Sequence, residues 1–156
     1  MLDLCAAPGG NTTHIAERMN QEGFLLTNEL YPARAKVLSQ NMEYMGIRYA
    51  VVTNEIPSRL AERFPGYFDR VMVDAPCSGE GMFGKDHDAS EEWSLENVEQ
   101  CAAWQLDILH HAGEMLLPGG KLVYSTCTFS PEENEGTISQ FLQLLETPSG
   151  LSAFFS

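Results

Sequence analysis

The fold is decided by the first stretch of the chain, Leu2-Asp3-Leu4-Cys5-Ala6-Ala7-Pro8-Gly9-Gly10. Its apolar beginning, from Met1 to Cys5, predicts a short strand that is buried on both faces. Proline and two glycines then end the strand, and apolar residues return at helical spacing from Thr12 to about Gln21. A strand, a glycine loop and a helix in succession are the opening unit of an α/β fold.

Four more predicted strands alternate with helices along the rest of the chain. The strands are expected at residues 24–28, 49–53, 69–74 and 121–126, and the helices at about 32–45, 57–64, 95–117 and 130–145. This alternation predicts a doubly wound, mostly parallel sheet with helices on both faces. The apolar runs of the first, fourth and fifth strands predict that these strands are buried on both sides.

Local signals mark the helix ends. Proline and glycine bracket the second helix, whose predicted inner face extends to Met45. The segment Pro118-Gly119-Gly120 is expected to separate the longest helix from the fifth strand. Ser130 and Glu133 match a capping box, in which Ser130 caps the amide of Glu133 and the Glu133 side chain reaches back.

The composition describes one acidic globular domain. The 156 residues fit a single domain, with the core expected at 1–145 and an irregular tail at 146–156. Nine Lys and Arg against 22 Asp and Glu give a net charge of −13, so the basic footprint of a stand-alone nucleic-acid binder is missing. No apolar run is long enough to span a membrane, and no signal peptide pattern occurs. Because a strand begins at residue 1 and the tail loses its periodicity, we expect a piece of a longer cytoplasmic protein, truncated at both ends.

Polar, reactive and glycine-rich residues follow every predicted strand. In an open parallel sheet, ligands bind at the carboxyl ends of the strands. The segments that fall there are Ala6–Gly10, Asn28-Glu29, Thr53-Asn54, Asp74–Gly79 and Ser125–Thr128. Their concentration at one edge of the sheet predicts a binding site.

The first two of these segments favour a nucleoside-bearing cofactor. Gly9 and Gly10 leave room for close approach to the backbone and lead into a helix N-terminus, which favours an anionic group. Glu29 comes about 20 residues later, where a carboxylate can accept both hydroxyls of a ribose. The GxGxxG fingerprint is absent. Together with Asp3 and Asp74, the pattern favours a cofactor over an ordinary turn followed by a solvated acid.

Cys77 and Cys127 are the candidate reactive cysteines. Each follows one of two strands that we expect to be neighbours, and two thiols at one pocket suggest covalent catalysis in which one attacks and one assists. Cys127 also precedes a capped helix, whose dipole favours a thiolate. Cys101 is interpreted as a core residue, and so, in the main, is Cys5. The Cys, His and acidic residues show no metal-site spacing, so we expect no metal.

Three blocks of the sequence, in this order, closely resemble the Nop/Sun family of RNA cytosine-5 methyltransferases. They are Leu2–Gly10, then Asp74-Ala75-Pro76-Cys77-Ser78-Gly79-Glu80-Gly81, then Ser125-Thr126-Cys127-Thr128 with Pro131-Glu132-Glu133-Asn134-Glu135. Gly81-Met82-Phe83 and Lys85-Asp86 are most similar to the bacterial branch that acts on small-subunit ribosomal RNA. The resemblance covers about residues 1–145.

The resemblance implies a Rossmann-like fold, S-adenosyl-L-methionine as the cofactor, and ribosomal RNA as the partner. The methionine side of the cofactor would lie on the loop of Cys5, Ala6, Ala7, Pro8, Gly9, Gly10 and Asn11. Glu29 would hold the ribose, and Asn54 would lie by the adenine. Asp74 would lie between the cofactor and the cytosine. Cys127 would attack C6 of a cytosine turned out of any stack, C5 would take the methyl group, and Cys77 would help release the product.

Two alternatives stay open. The family usually has Lys where this chain has Asn11 and often Arg where it has Gly84, and its upstream RNA-binding segment is missing. A chain that binds the cofactor but is catalytically incomplete is therefore the first alternative, and the missing parts would carry the basic surface. The second is a DNA-type cytosine methyltransferase, in which Cys77, following a proline after the fourth strand, is the nucleophile. The block around Cys127 favours the RNA enzymes.

Overall fold

A computed structural model describes residues 1–20, 22–79 and 94–146 of the chain. Along the sequence its elements are β1 (Leu2–Asp3), α1 (Gly10–Met19), β2 (Leu25–Asn28), α2 (Pro32–Tyr44), β3 (Ala50–Thr53), α3 (Pro57–Arg63), β4 (Phe68–Asp74), α4 (Leu95–Met115), β5 (Leu116–Ser125), a π-helical turn (Glu132–Gly136) and α5 (Thr137–Glu146). The motif residues from Glu80 to Asp86 and the expected tail beyond residue 146 lie outside the described ranges.

The five strands form one parallel sheet in the order β3-β2-β1-β4-β5. The chain winds outward from β1 through β2 to β3 and then returns to place β4 on the other side of β1. This confirms the doubly wound α/β fold. The order reverses between β1 and β4, which is where ligands bind in such sheets.

The core lies between the central strands and α4. Leu2 and Leu4 pack with Val71 and Val73 of β4, and all four are buried. The buried face of α4 that packs against them includes Ile108, Ala112 and Met115.

The structure corrects the expected start and burial of β5. The strand begins at Leu116, so Pro118-Gly119-Gly120 lies within it. Phe68 pairs with Leu116, and Arg70 pairs with Lys121. Between these pairs β4 advances by two residues and β5 by five, so the register shifts. The extra residues of β5 include Gly119, which has a φ of 76°. β5 is also an edge strand rather than a doubly buried one, since Val123 is 55% exposed.

Two helix signals also turn out differently. Met45 is 58% exposed because α2 ends at Tyr44, before the inner face recurs. Ser130 Oγ does accept from the Glu133 amide at 3.4 Å, but its hydroxyl donates to the carboxylate of Glu132, at 2.7 Å. The prediction that the Glu133 side chain reaches back to complete the capping box is therefore wrong. This side chain turns into the core and makes other hydrogen bonds.

Candidate active site

A cavity of about 220 Å³ lies at the carboxyl edge of the sheet. Six of the predicted site residues line it, namely Cys5, Ala7, Glu29, Asp74, Cys77 and Cys127. The other predicted residues, Ala6, Pro8, Gly9, Gly10, Asn11 and Asn54, are not in its wall. The walls are completed by residues that the sequence reasoning missed, among them Tyr31, Arg34 and Trp104.

The two predicted cysteines meet at one end of this cavity. Their sulfur atoms are 2.6 Å apart, and the backbone amide of Cys127 donates to Cys77 Sγ at 3.3 Å. Cys127 is exposed, whereas Cys77 is partly buried. Burial, followed by the hydrogen bond with Cys127, raises the pKa of Cys77 to about 12. Cys77 therefore carries its proton at neutral pH.

Asp74 stands at the end of β4, in the wall of the same cavity, with both carboxylate oxygens held. Ser125 Oγ donates to Oδ1 at 2.7 Å, and Asn11 Nδ2 donates to Oδ2 at 2.9 Å. Ser125 is the partner of Asp74 across the β4–β5 ladder. Ser125 and Asn11 thus orient the carboxylate that faces the cavity.

Glu29 is the buried acid at the other end of the cavity. It is 3% exposed, and its Oε1 accepts from the amide of Tyr31 at 3.0 Å. The guanidinium of Arg34 lies 3.6 Å from Oε2 and donates to the carbonyl of Ala7 at 2.8 Å. Arg34 thus joins the β1 loop to the acid at the end of β2. A cation at this acid was not predicted, although its place in the first turn of α2 was a signal available in the sequence.

Asn54 supports this end of the cavity from outside its wall. Its side-chain amide donates to the carbonyls of Glu29 and Leu30, at 2.7 and 2.8 Å. The contact fixes the backbone from which the Glu29 side chain projects. The predicted contact of Asn54 with an adenine stays a prediction.

The β1 loop uses its first glycine for packing. Gly9 has a φ of 112°, and a Cβ there would lie 3.0 Å from Met42 Cε and 3.1 Å from Leu38 Cδ1 on α2. A side chain at Gly9 would therefore crowd two side chains of α2, and it would also strain the backbone at this φ. Gly10 has no atom within 4 Å of the corresponding position, so it leaves the start of α1 open.

Behind this loop lies a buried acid, Asp3. Thr12 Oγ1 donates to its Oδ2 at 2.5 Å and also contacts Thr27 Oγ1 at 3.0 Å, while Oδ1 is buried and has no hydrogen-bond partner among the described residues. Burial, with a smaller contribution from the charge of Asp74, raises the pKa of Asp3 to about 6. Burial likewise raises the pKa of Cys5 to about 12. Cys5 is partly buried against the core and also lines the cavity.

Two further observations concern metal binding and membrane insertion. Within residues 1–20, 22–79 and 94–146, no three His, Cys, Asp or Glu side chains come together in a way that could hold a metal ion. None of the helices in the same part of the chain is both long and apolar enough to traverse a bilayer.

Comparison with known proteins gives one consistent result. A family model described as 16S rRNA methyltransferase RsmB/F matches residues 1–150. The ribosomal RNA small subunit methyltransferase F of Vibrio vulnificus (strain YJ016) is 48% identical over 135 residues, which cover 86% of this chain and 29% of that protein. The chain thus spans less than a third of this relative.

Solved structures agree. The crystal structure of PH0851 superposes with a TM-score of 0.86 at 33% identity, over 91% of this chain and 32% of the other. NSun6 from Pyrococcus horikoshii, described as a structure with SFG, superposes with a TM-score of 0.78 at 30% identity, over 91% of this chain and 36% of the other.

Proposed function

The chain belongs to the 16S rRNA methyltransferase RsmB/F family, and on that premise we propose that it transfers a methyl group from S-adenosylmethionine to C5 of a cytosine in 16S ribosomal RNA. The observation that carries the proposal is the pair of sulfur atoms, 2.6 Å apart, at one end of a cavity whose other end holds a buried carboxylate. As the chain spans 29% of its Vibrio relative, the proposal assigns chemistry to this site and leaves RNA capture to the whole protein.

The residues at the Glu29 end fit S-adenosylmethionine. Glu29 Oε1 is occupied by the Tyr31 amide, while Oε2 has only a loose ion pair with Arg34, so this oxygen can accept from ribose hydroxyls. The start of α1 at Gly10 offers free amides to an anionic group. The relative solved with SFG, an analogue of this cofactor, supports the same choice. When bound, the cofactor supplies an electrophilic methyl group.

We assign the attack to Cys127. Its thiolate would add to C6 of the cytosine, which pushes electrons onto C5, and C5 would then take the methyl group. Its exposure supports this assignment, because a cytosine can reach it. We assign to Asp74, whose carboxylate is held by Ser125 and Asn11, the sharing of a proton with the ring nitrogen, which would make C6 more electrophilic.

We assign product release to Cys77. Release requires loss of the proton on C5, return of its electrons to the ring, and departure of Cys127 as thiolate. The hydrogen bond and charge of Cys127 contribute to the raised pKa of Cys77, after the larger effect of burial. Once the Cys127 sulfur is bonded to C6, that part of the shift is lost. The pKa of Cys77 then falls, so that its thiol can release its proton to solvent and, as a thiolate, accept the proton from C5.

The test is a denaturing gel of protein mixed with 16S ribosomal RNA and S-adenosylmethionine. The chain is assayed alone and in a chimera, in which it replaces the matching segment of the Vibrio vulnificus relative. We expect Cys127→Ala to abolish both methyl transfer and the covalent adduct, and Cys77→Ala to accumulate the adduct. Cys101→Ala, on α4 and outside the cavity wall, is the matched control and should behave as the unmodified chain does.

Each other outcome has a definite meaning. The reverse pattern, with adduct in Cys127→Ala and none in Cys77→Ala, would overturn the assignment and favour the DNA-type use of Cys77. An inactive chimera that still binds S-adenosylmethionine would support the alternative of a cofactor-binding chain that is catalytically incomplete.

A further inference from the structure

We propose that Glu133 and Asn134, neighbours in the π-helical turn, are positioning residues, each of which fixes the loop of one cysteine. The assignment of each residue to a reaction step rests on the proposed function, but the geometric inference does not. Neither residue lines the cavity. Their effect on the reaction would pass entirely through the backbone on which Cys77 and Cys127 are mounted.

Glu133 holds the two peptide groups on either side of Cys77. Its Oε2 accepts from the amide of Ser78 at 3.0 Å and from Gln105 Nε2 at 2.7 Å. The same Gln105 nitrogen donates to the carbonyl of Pro76 at 2.8 Å. The residue before Cys77 and the residue after it are therefore tied to one pair of buried side chains.

Asn134 contacts both residues that flank Cys127. Its Oδ1 accepts from Thr126 Oγ1 at 2.7 Å, and its Nδ2 donates to the carbonyls of Thr128 and Ser130, at 3.2 and 3.0 Å. Thr126 and Thr128 flank Cys127 as Pro76 and Ser78 flank Cys77. One amide side chain, with one acceptor and one donor, thus spans the residue between them.

The π-helical turn places these two neighbouring side chains against different loops. Its wider winding is closed by the amide of Gly136, which donates to the carbonyl of Pro131 at 2.7 Å, a five-residue span. A Cβ at Gly136 would lie 3.2 Å from that carbonyl oxygen, so a side chain there would strain the turn. Irregular turns of this kind are frequent at functional sites.

Burial argues that the Glu133 contacts do more than stabilise the fold. Glu133 is 0% exposed, and its Oε1 has no hydrogen-bond partner in the part of the chain that the structure describes. A buried acid with an unpartnered oxygen is costly. That cost makes physical sense if the loop geometry that Glu133 enforces is needed.

The first test measures the relative placement of the sulfurs without RNA or cofactor. The chain is equilibrated with mixtures of reduced and oxidised glutathione. The Cys77 and Cys127 thiols form a disulfide and convert one oxidised glutathione into two reduced ones. Thiol trapping and mass spectrometry then give the effective concentration of one thiol toward the other. Sulfurs 2.6 Å apart should form the disulfide readily, because little movement brings them to bonding distance.

Four variants separate positioning from general damage. Glu133→Leu removes the acceptor, and Asn134→Asp puts a carboxylate against the carbonyls of Thr128 and Ser130. We expect each to lower the effective concentration at least fivefold. Glu133→Gln keeps an acceptor for the Ser78 amide and should stay close to the unmodified chain. Tyr49→Phe removes a hydrogen bond to the Ala16 carbonyl, far from both cysteines, and should also have little effect.

Three results would overturn the proposal. One is a change below fivefold in either Glu133→Leu or Asn134→Asp. Another is a loss in Glu133→Gln or Tyr49→Phe as large as in those two variants, since charge, packing or overall stability would then explain the effect. The third is the absence of any disulfide in the unmodified chain, which would contradict the placement of the sulfurs.

The second test links each residue to a step, in the chimera with the Vibrio vulnificus relative. Asn134→Asp should slow formation of the RNA adduct, because it disturbs the attacking thiolate. Glu133→Leu should form the adduct and release it slowly, so that adduct accumulates, and Glu133→Gln should restore release. The same step slowed in both variants would overturn the separate assignment. If the unmodified chimera forms no adduct, the proposed function fails, and the glutathione result decides the positioning proposal independently.

Discussion

The two ends of the cavity are built differently. At the acid end, Glu29 is held by the amide of Tyr31, two residues away, and by Arg34 in the next helix. At the sulfur end, the Cys77 loop is held by Glu133, whose partner Ser78 lies 55 residues away in sequence. The carboxylate of Glu29 is therefore held by partners in the turn from β2 into α2, with Asn54 supporting its backbone, whereas the Cys77 loop is held by side chains of the π-helical turn and α4.

This difference predicts how far the effect of a substitution extends beyond the substituted residue. At the acid end, replacing one side chain should remove one ligand contact and leave the loop in place. At the sulfur end, hydrogen bonds share partners, as when Gln105 Nε2 serves both Pro76 and Glu133. Substitutions in one such network are not additive. Variants at and between the two ends can test that contrast.

Asp74 lies between the two ends, and its replacement should have the largest effect. We expect Asp74→Asn to slow methyl transfer by about 100- to 10,000-fold, the usual contribution of a group that moves a proton in the reaction. Single-turnover rates in the chimera, with saturating cofactor, measure this. Ser125→Ala removes only the bond to Oδ1 and should cost much less. A loss under about tenfold in Asp74→Asn would remove Asp74 from the reaction.

Glu29 tests the acid end alone. We expect Glu29→Ala to weaken S-adenosylmethionine binding by about 1.5–3 kcal/mol, the range for hydrogen bonds to a charged group. Calorimetry on the folded variant measures the change. Glu43→Ala removes an exposed acid on α2 and is the matched control for charge. Unchanged affinity in Glu29→Ala would exclude Glu29 from the cofactor site, and lost adduct chemistry at saturating cofactor would contradict the independence of the two ends.

The same contrast explains what could be predicted from the sequence. The meeting of Cys77 and Cys127 was predictable, because each follows a strand and parallel neighbours end at one edge of the sheet. The position of Glu29 in the cavity wall was predictable, because Glu29 directly follows β2. The direction of the Glu133 side chain was not, because it depends on Gln105 and Ser78, which only tertiary folding brings near. The early start of β5 likewise depends on its ladder with β4, which overrides the helix-breaking signal of Pro118-Gly119-Gly120.

Asp3 tests the loop between the ends through its buried charge. Burial raises its pKa from 3.8 to about 6 in the folded chain, so the folded state binds the proton more tightly than the unfolded state. That contribution to stability is complete below the unfolded pKa and is lost as pH rises through the folded one. The free energy of unfolding of Asp3→Asn, relative to that of the unmodified chain, should therefore rise by about 2 kcal/mol between about pH 4.5 and about pH 7.5.

Urea unfolding of both proteins at the two pH values measures this difference. Asparagine keeps an acceptor for Thr12 Oγ1, so the hydrogen bond at Asp3 is preserved and the comparison isolates the charge. Thr27→Val, which removes the hydroxyl that contacts Thr12, is the control and should change stability equally at both pH values. If the free energy of unfolding depended on pH in the same way in Asp3→Asn and in the unmodified chain, the raised pKa of Asp3 would be contradicted.

The smallest expected effect is at Asn11, which contacts Asp74 from outside the cavity wall. Asn11 Nδ2 donates to Asp74 Oδ2 at the start of α1, where we place the carboxylate of the cofactor. A lysine there would bring a cation close to both groups. Because the site is only half-buried, solvent screens the new pair, and Asn11→Lys should strengthen cofactor binding by about 0–1 kcal/mol.

His14→Lys adds the same charge at an exposed position of α1 and should leave the affinity for the cofactor unchanged. Calorimetry at low salt maximises the difference. A weaker affinity in Asn11→Lys would mean that the lysine is captured by Asp74 and that the cofactor carboxylate lies elsewhere.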